Sequence, residues 1–420
     1  MRAKTIFFQL LLLNVLPDQL QAQEPSLLDS IPAAAPVKDK KLQLIAYGSL
    51  NYHRFDWQIW PDKRNEIDFE RAVLEGSYRF MPRFALHAEL ELEHGGTGVA
   101  VEFDRFEEFG EFEYEVEKGG EVRFEEFNIS YALTGNRRHQ LRAGYVKVPF
   151  GLIPFRDEPD EYLTNTLPMM ENTLLPTDWA EFGLLFNGSL GQHWKYYLAF
   201  VNGLDGSAFN SANFIKRGNQ KRFETVNAED WAAVGRLDYE FGHEQALGVS
   251  GYFGNTRNNR PKPDLQVDAY LSMADVHFMY EWSPFEITAQ LLYGYLQNAE
   301  AVSTANRNLS NNLNVKRTPV GSSALGWSAE LGFELFDLLL RHPDGELIFF
   351  GRYDYYDSMH STEGQIVDNP RWERSVVTAG INYQPVPQLV LKAQLAVEKL
   401  GVSVDNLQRT FSLGLGFHIK

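Results

Sequence analysis

Few residues in this 420-residue chain are spaced for bond-making chemistry. There is no Cys, which excludes thiolate nucleophiles, thiolate metal sites and disulfides. The ten His are scattered, without paired metal-ligand spacing. No HExxH, GxSxG or phosphate-cradling glycine loop is present, and no Ser/His/acid set can be assembled. The reading is no catalytic residue, no metal and no cofactor. What the chain does carry is charge at every second position. Arg71, Glu75 and Arg79 share one phase, as do Glu89, Glu91 and Glu93. Arg236 with Asp238, Asp275 with His277, and Arg352 with Asp354 repeat the spacing. Groups two or four apart fall on one face of a strand. Their chemistry is electrostatic: they bias which solutes pass along a wall.

The other phase of the same stretches is apolar. Leu42, Leu44, Ala46, Leu50 and Tyr52 alternate with mostly polar neighbours, as do Leu86, Ala88, Leu90 and Leu92. Phe411, Leu413, Leu415, Phe417 and Ile419 do the same at the C-terminus. A helix would spread these polar groups round its circumference; a strand puts them on one side. Sixteen such segments begin near residues 41, 67, 84, 121, 139, 181, 193, 230, 246, 268, 285, 323, 346, 374, 388 and 409. They exceed the ~5–6 residues usual in soluble sheets and suit tilted strands crossing an apolar layer of about 25 Å. No apolar run reaches the ~18 residues of a membrane-spanning helix.

The links between segments alternate in length. Long ones at 55–66, 95–120, 150–180, 204–229, 255–267, 298–322, 357–373 and 399–408 are separated by tight ones such as Met81 to Arg83, Gly191 with Gln192, and Ser283 with Pro284. An up-and-down barrel then carries every long loop on one rim, the asymmetry of bacterial outer-membrane barrels. The expected fold is all-β: a sixteen-stranded antiparallel transmembrane β-barrel of the outer-membrane type over 41–420. Arg2 and Lys4 precede an apolar stretch at 5–16 and a small residue, Ala22. Residues 1–22 read as a signal peptide and the Pro-rich 23–40 as a flexible periplasmic lead-in. The expected location is the bacterial outer membrane.

The two faces of the wall follow from the alternation. The apolar phase meets lipid, with Trp57, Trp60, Tyr78, Phe80, Phe84, Trp194, Tyr196, Trp231, Tyr239, Trp282, Phe285, Tyr353 and Tyr355 at strand ends as an interfacial girdle. The polar phase supplies pore-lining candidates: Arg71, Arg79, Glu89, Glu91, Arg142, Arg236, Asp238, Asp275, Glu330, Arg352 and Lys392. Sixteen strands enclose more than wall side chains fill, so a polar lining implies a water-filled channel for small solutes or inorganic ions. Asp+Glu total 56 against 39 Lys+Arg, a net charge of -17. That excludes a nucleic-acid partner and points to weak cation preference or mutually screened pairs. Residues 102–126 carry eleven acids, read as a solvated outer hairpin.

Residues 141–188 resemble the phosphate-selective porin O and P family of outer-membrane channels. The matching positions are Arg142, Gly144, Lys147, Val148, Pro149, Phe150 and Gly151, then Glu171, Asn172, Pro176, Thr177, Trp179, Gly183 and Gly188. The resemblance implies a homotrimer in outer-membrane lipid and lipopolysaccharide. It also implies that the third loop, 150–180, folds inward as a constriction, with Arg156, Asp157, Glu158, Asp160 and Glu161 at the narrowing. It implies passage of anions such as phosphate, whereas the acid-rich wall argues against strong phosphate selectivity. Family members also carry more inward Arg and Lys, and an Arg-Asp pair where Glu181 and Phe182 stand here. The leading function is a porin for passive diffusion of small hydrophilic solutes or ions, not an enzyme. The rivals are a non-conducting receptor or adhesin barrel and a membrane-embedded barrel hydrolase.

Overall fold

The computed structural model describes residues 41–420, apart from 97–101, 104–113, 116–119, 221–224, 243, 310–316 and 339–344. The stretches expected to be a signal at 1–22 and a lead-in at 23–40, and most of the expected acid-rich hairpin, lie outside the described residues. Sixteen long strands follow in chain order: β1 (Leu42–Trp57), β2 (Glu66–Met81), β3 (Phe84–Glu93), β4 (Glu121–Ala132), β5 (His139–Lys147), β6 (Ala180–Leu190), β7 (Trp194–Asn202) and β8 (Trp231–Gly242), then β9 (Gln245–Asn255), β10 (Tyr270–Trp282), β11 (Phe285–Leu296), β12 (Ser323–Glu334), β13 (Glu346–Ser361), β14 (Glu373–Val386), β15 (Leu389–Leu400) and β16 (Leu407–Ile419). All starts fall within two residues of those read from alternation.

Each strand pairs antiparallel with the next, and β1 pairs with β16 from Ala46↔Ile419 to Trp57↔Gln408, closing the cylinder. Closure leaves no strand edge for aggregation. The short turns fall at one rim, together with the start of β1 and the end of β16. Gly191 adopts a positive φ of 72° at the tight link between β6 and β7, a conformation that costs glycine little. The long connections fall at the other rim. In the second of them, Glu102↔Glu115 and Phe103↔Tyr114 pair as a short ribbon, the hairpin expected there.

The outside of the cylinder is apolar all round. Leu44, Leu74, Ile129, Leu184, Leu198, Leu247, Phe253, Leu291, Leu331, Leu395 and Leu413 are exposed, each on the phase opposite the buried polar groups. So large a contiguous apolar surface on a single chain is a membrane-facing surface. Tyr78, Phe80, Trp194, Trp231, Trp282 and Phe285 stand exposed on it near strand ends, as a girdle requires. Trp57 and Trp60 depart from that expectation. Trp57 shares the odd phase of β1 with the buried Tyr47, Ser49 and Asn51 and bonds Thr410 on the inner wall. Trp60 follows in the adjoining loop and faces the same lysine as Trp57.

The described residues of three long connections fold into the cylinder. One is 148–179, with helix α1 (Met169–Leu174). Another is 203–230, and the third is 297–322, with helix α2 (Ala299–Arg307). Phe150, Phe155, Met170 and Leu174 of the first join Phe209, Phe214 and Ile215 of the second and Val302 of α2. They pack on inward apolar residues of β7 to β11, among them Val201, Val234, Leu271 and Leu292. Each such side chain contributes about 1.5–3 kcal/mol on burial, enough to hold the loops inside. The interior is therefore not the uniformly water-filled lumen the polar phase suggested. The inward phase turns apolar towards the long-loop rim of these strands, and the loops fill that half.

Candidate functional site: the barrel interior and the loop that crosses it

The site starts from acids and bases that alternation places on the inner wall of β1 to β5. Arg71 Nε lies 2.8 Å from Glu91 Oε1, and Arg142 Nη1 lies 3.1 Å from Glu126 Oε1. Lys147 Nζ lies 3.0 Å from Glu89 Oε2. The crossing loop adds two carboxylates to this wall. Asp157 Oδ2 accepts from Tyr47 Oη at 3.0 Å and from Lys147 Nζ at 3.2 Å. Asp178 Oδ1 takes Arg71 Nη2 at 3.3 Å, and its other oxygen stands 3.6 Å from Arg123 Nη2. All these groups are buried. Desolvating that many charges is tolerable only because each is paired.

Across the barrel the loop is held by neutral and mixed contacts. Arg236 donates to the Gly151 carbonyl, and Gly151 N–H donates to Ser250 Oγ at 3.2 Å. Glu171 accepts from the N–H groups of Leu152 and Ile153, both at 2.9 Å, and from Gln290 Nε2 at 2.6 Å. On β14, β15 and β1 the partners are mainly amides and carbonyls, whereas on β16 His418 meets the loop carboxylates Glu158 and Asp160. Asn382 donates to Leu163 O at 2.9 Å, Gln394 accepts from Asn165 N at 2.8 Å, and Asn51 bonds Asn165 at 3.4 Å. Lys392 donates to Tyr162 O at 2.5 Å and to Thr164 O at 2.8 Å. Contacts thus run from the loop to strands on every side.

Of the eleven pore-lining candidates, ten are buried on the inner wall: Arg71, Glu89, Glu91, Arg142, Arg236, Asp238, Asp275, Glu330, Arg352 and Lys392. Arg79 is half-buried, on the inward phase near the short-turn rim. Arg352 sits between Glu330 at 3.3 Å and Asp354 at 2.9 Å, and Arg236 lies 2.7 Å from Asp238. Four of the five loop candidates are buried or half-buried and Asp160 is exposed, and they do not meet at one point. Asp157 faces the β1 to β5 wall. Arg156 reaches the other side, bonding Thr288 Oγ1 at 3.1 Å and the Glu161 carbonyl. Glu158 and Asp160 meet His418 Nδ1 at 3.0 and 3.1 Å near the chain's end. Between the loop and β11 to β13 lies a cavity of about 20 Å³ measured to water centres, lined by Leu152, Arg156, Tyr162, Thr288, Glu330 and Arg352. It has room for one or two waters.

Asn165, Tyr162, Thr164 and Asp178 belong to this site and carried no spacing signal, because a loop has no period. The inward Val201, Leu271, Met273, Leu292 and Leu296 were a usable sign that part of the interior is packed. Among the described residues two groupings have ligand spacing for a cation: Glu158, Asp160 and His418, and Glu91, Glu93 and Asp178. Each already holds basic groups of the chain, Lys420 in the first and Arg71 with Arg123 in the second. For acyl transfer the geometry is unsuitable. His277 bridges Asp238 at 2.8 Å and Asp275 at 2.7 Å, fully buried, and Ser250 bonds Asp275 rather than the imidazole. His87 Nε2 meets Ser130 Oγ at 2.9 Å, but its Nδ1 has no carboxylate to orient it.

No family model matches this chain. An uncharacterized protein of Aquifex aeolicus (strain VF5) is 25% identical over 387 residues, covering 89% of this chain and 80% of that protein. The fold is similar to the anion-selective porin from Comamonas acidovorans, with TM-score 0.53, 11% identity, and coverage of 90% of this chain and 99% of that one. It is equally similar to OmpF of Salmonella typhi in complex with daunomycin, with TM-score 0.53, 11% identity, and coverage of 90% and 97%. The outer-membrane channel DcaP of Acinetobacter baumannii aligns with TM-score 0.50, 9% identity, and coverage of 90% and 97%. The class the fold defines is thereby a closed sixteen-stranded β-barrel of the porin-like kind. These likenesses carry the fold and do not single out the phosphate-selective family.

Proposed function

We propose that this protein is a passive diffusion channel of a bacterial outer membrane, admitting small hydrophilic solutes or ions past the crossing loop. The observation that carries this reading is a closed cylinder, apolar outside, whose inner wall is spanned by the loop 148–179, with described parts of two further connections packed beside it. Ion pairs fix that loop on the β1 to β5 side and apolar packing fixes it under β7 to β11. Between β14 and β1 it is held by amides and carbonyls, by the buried Lys392 ammonium and, at the end of β16, by His418 and Lys420 against Glu158 and Asp160. Water competes well for amide–amide hydrogen bonds, each worth about 1 kcal/mol net. That seam is the path of least resistance for a solute. The signal at 1–22 would deliver the chain to the periplasm, 23–40 would stay there, and 150–180 would be the constriction. A homotrimer embedded in lipid and lipopolysaccharide fits the same reading.

Strong phosphate selectivity is not part of it. An anion relay needs uncommitted guanidinium or ammonium groups, and Arg71, Arg142, Lys147, Arg236 and Arg352 are each committed to carboxylates. Lys392 is committed to backbone carbonyls. With acids in excess, weak cation preference is expected. Liposome swelling with a graded series of sugars and amino acids tests the reading. Entry of the smallest solutes and exclusion of disaccharides is expected. The tight packing of the interior favours one second reading, a non-conducting receptor barrel, for which no solute would swell the liposomes.

A further inference from the structure

The inner wall of β1 carries an aromatic ladder towards the long-loop rim. His53, Phe55 and Trp57 share the inward phase, opposite Ser412, Thr410 and Gln408 on β16. His53 stacks on Phe55 at 6.0 Å between centroids, and Phe55 meets Trp57 edge-on at 5.2 Å. The adjoining loop adds Trp60. Into the box formed by Phe55, Trp57 and Trp60 the chain inserts its own Lys63, with Nζ 4.4, 4.9 and 5.1 Å from the three ring centroids. That is the geometry of a cation–π cage. The polar edges of the ladder are fixed, His53 Nδ1 to Ser412 Oγ at 2.8 Å and Trp57 Nε1 to Thr410 Oγ1 at 3.0 Å, so its ring faces are held in place.

Two further facts give the ladder a direction and a charge preference. At its foot stands Glu70, bonded to Asn51 at 2.5 Å and Ser49 at 3.0 Å. Among the described residues no basic group lies within ion-pair distance of that carboxylate. Asn51 in turn bonds Asn165 of the crossing loop, so the ladder runs from the mouth to the amide seam. Lys63 is itself largely covered by the cage, and its one ion pair is with the half-exposed Glu66 at 3.3 Å, three residues on.

We propose that this ladder binds organic cations of the quaternary-ammonium type, which displace Lys63 from its cage and pass inward towards Glu70. The inference rests on the channel reading for its purpose, but its test does not. Choline is the probe and 3,3-dimethylbutan-1-ol its uncharged shape match. Binding is read from tryptophan fluorescence of the full chain in detergent, and from block of current when the probe is added on the long-loop side. Choline is expected to bind at least about tenfold more tightly than the alcohol, Lys63→Gln to tighten it about tenfold, and the double change Trp57→Leu, Trp60→Leu to weaken it about tenfold, the range of a desolvated cation–π contact. Equal binding of choline and the alcohol, or unchanged choline affinity in Lys63→Gln, overturns the proposal. Should the tryptophan variant not fold, Lys63→Gln, on a surface loop, still decides it. Currents indifferent to choline refute the ladder and leave the channel standing. Choline binding in detergent with a silent bilayer refutes the channel and leaves the ladder.

Discussion

Asp157 ties the crossing loop to the wall. It takes Tyr47, Lys147 and Arg71 at once, inside a region too dry for its charge to be replaced by water. Asp157→Asn keeps the size and removes the charge, while Lys147 retains Glu89 and Arg71 retains Glu91 and Asp178. A loss of about 2 kcal/mol is expected, the scale of a hydrogen bond to a charged group. It should be read as an earlier midpoint in heat-induced loss of the compact form on gels, with noisier current. An unchanged midpoint would show that the tie carries no load. A second residue-scale prediction concerns His94, just beyond β3. Its hydrogen bond to Asp68 at 2.9 Å, with help from that charge and against burial, raises it to about 9. A raised imidazole stabilises fully below its ordinary value near 6.5, and the contribution fades as pH climbs through about 9. A ring-proton titration should place the midpoint well above 6.5 in the wild type and near 6.5 in Asp68→Asn; identical midpoints would contradict the pairing.

Elements in this chain differ in how they are held, and this governs what could be read from residues alone. Strands were legible because a period of two survives wherever one side meets lipid. Hence β3, with Leu86, Ala88, Leu90 and Leu92 against His87, Glu89 and Glu91, was recognisable to the residue. Phase was harder to judge at the ends. Residue type alone places Trp57 in the lipid girdle, whereas counting two by two from Tyr47 puts it inside. The filling of the interior was the least legible feature. Phe209, Phe214 and Ile215 lie in a loop, where apolar residues have no period to betray the surface they meet. Phe214→Ala tests that filling. Its ring is fully buried and lies against Gly294 of β11. A cost of about 3–5 kcal/mol is expected, seen as faster proteolysis within 203–230. Wild-type protection of that loop in the variant would mean it is anchored elsewhere.

For the molecule as a whole, the decisive pairing is an apolar exterior with an interior that is part charged and polar wall and part apolar loop packing. A sixteen-strand circumference is larger than inner-wall side chains can close, and here the chain's own loops supply the rest. The proposed channel reading then predicts a small conductance for so large a barrel, because described loop residues occupy much of its interior. The most direct test is single-channel recording of the purified protein in a planar bilayer across a potassium chloride gradient. Stepwise currents of small, uniform size, with a reversal potential displaced modestly towards potassium, are the predicted outcome. A bilayer that stays silent despite confirmed insertion, or a reversal potential close to that of a purely chloride-selective pore, would contradict it.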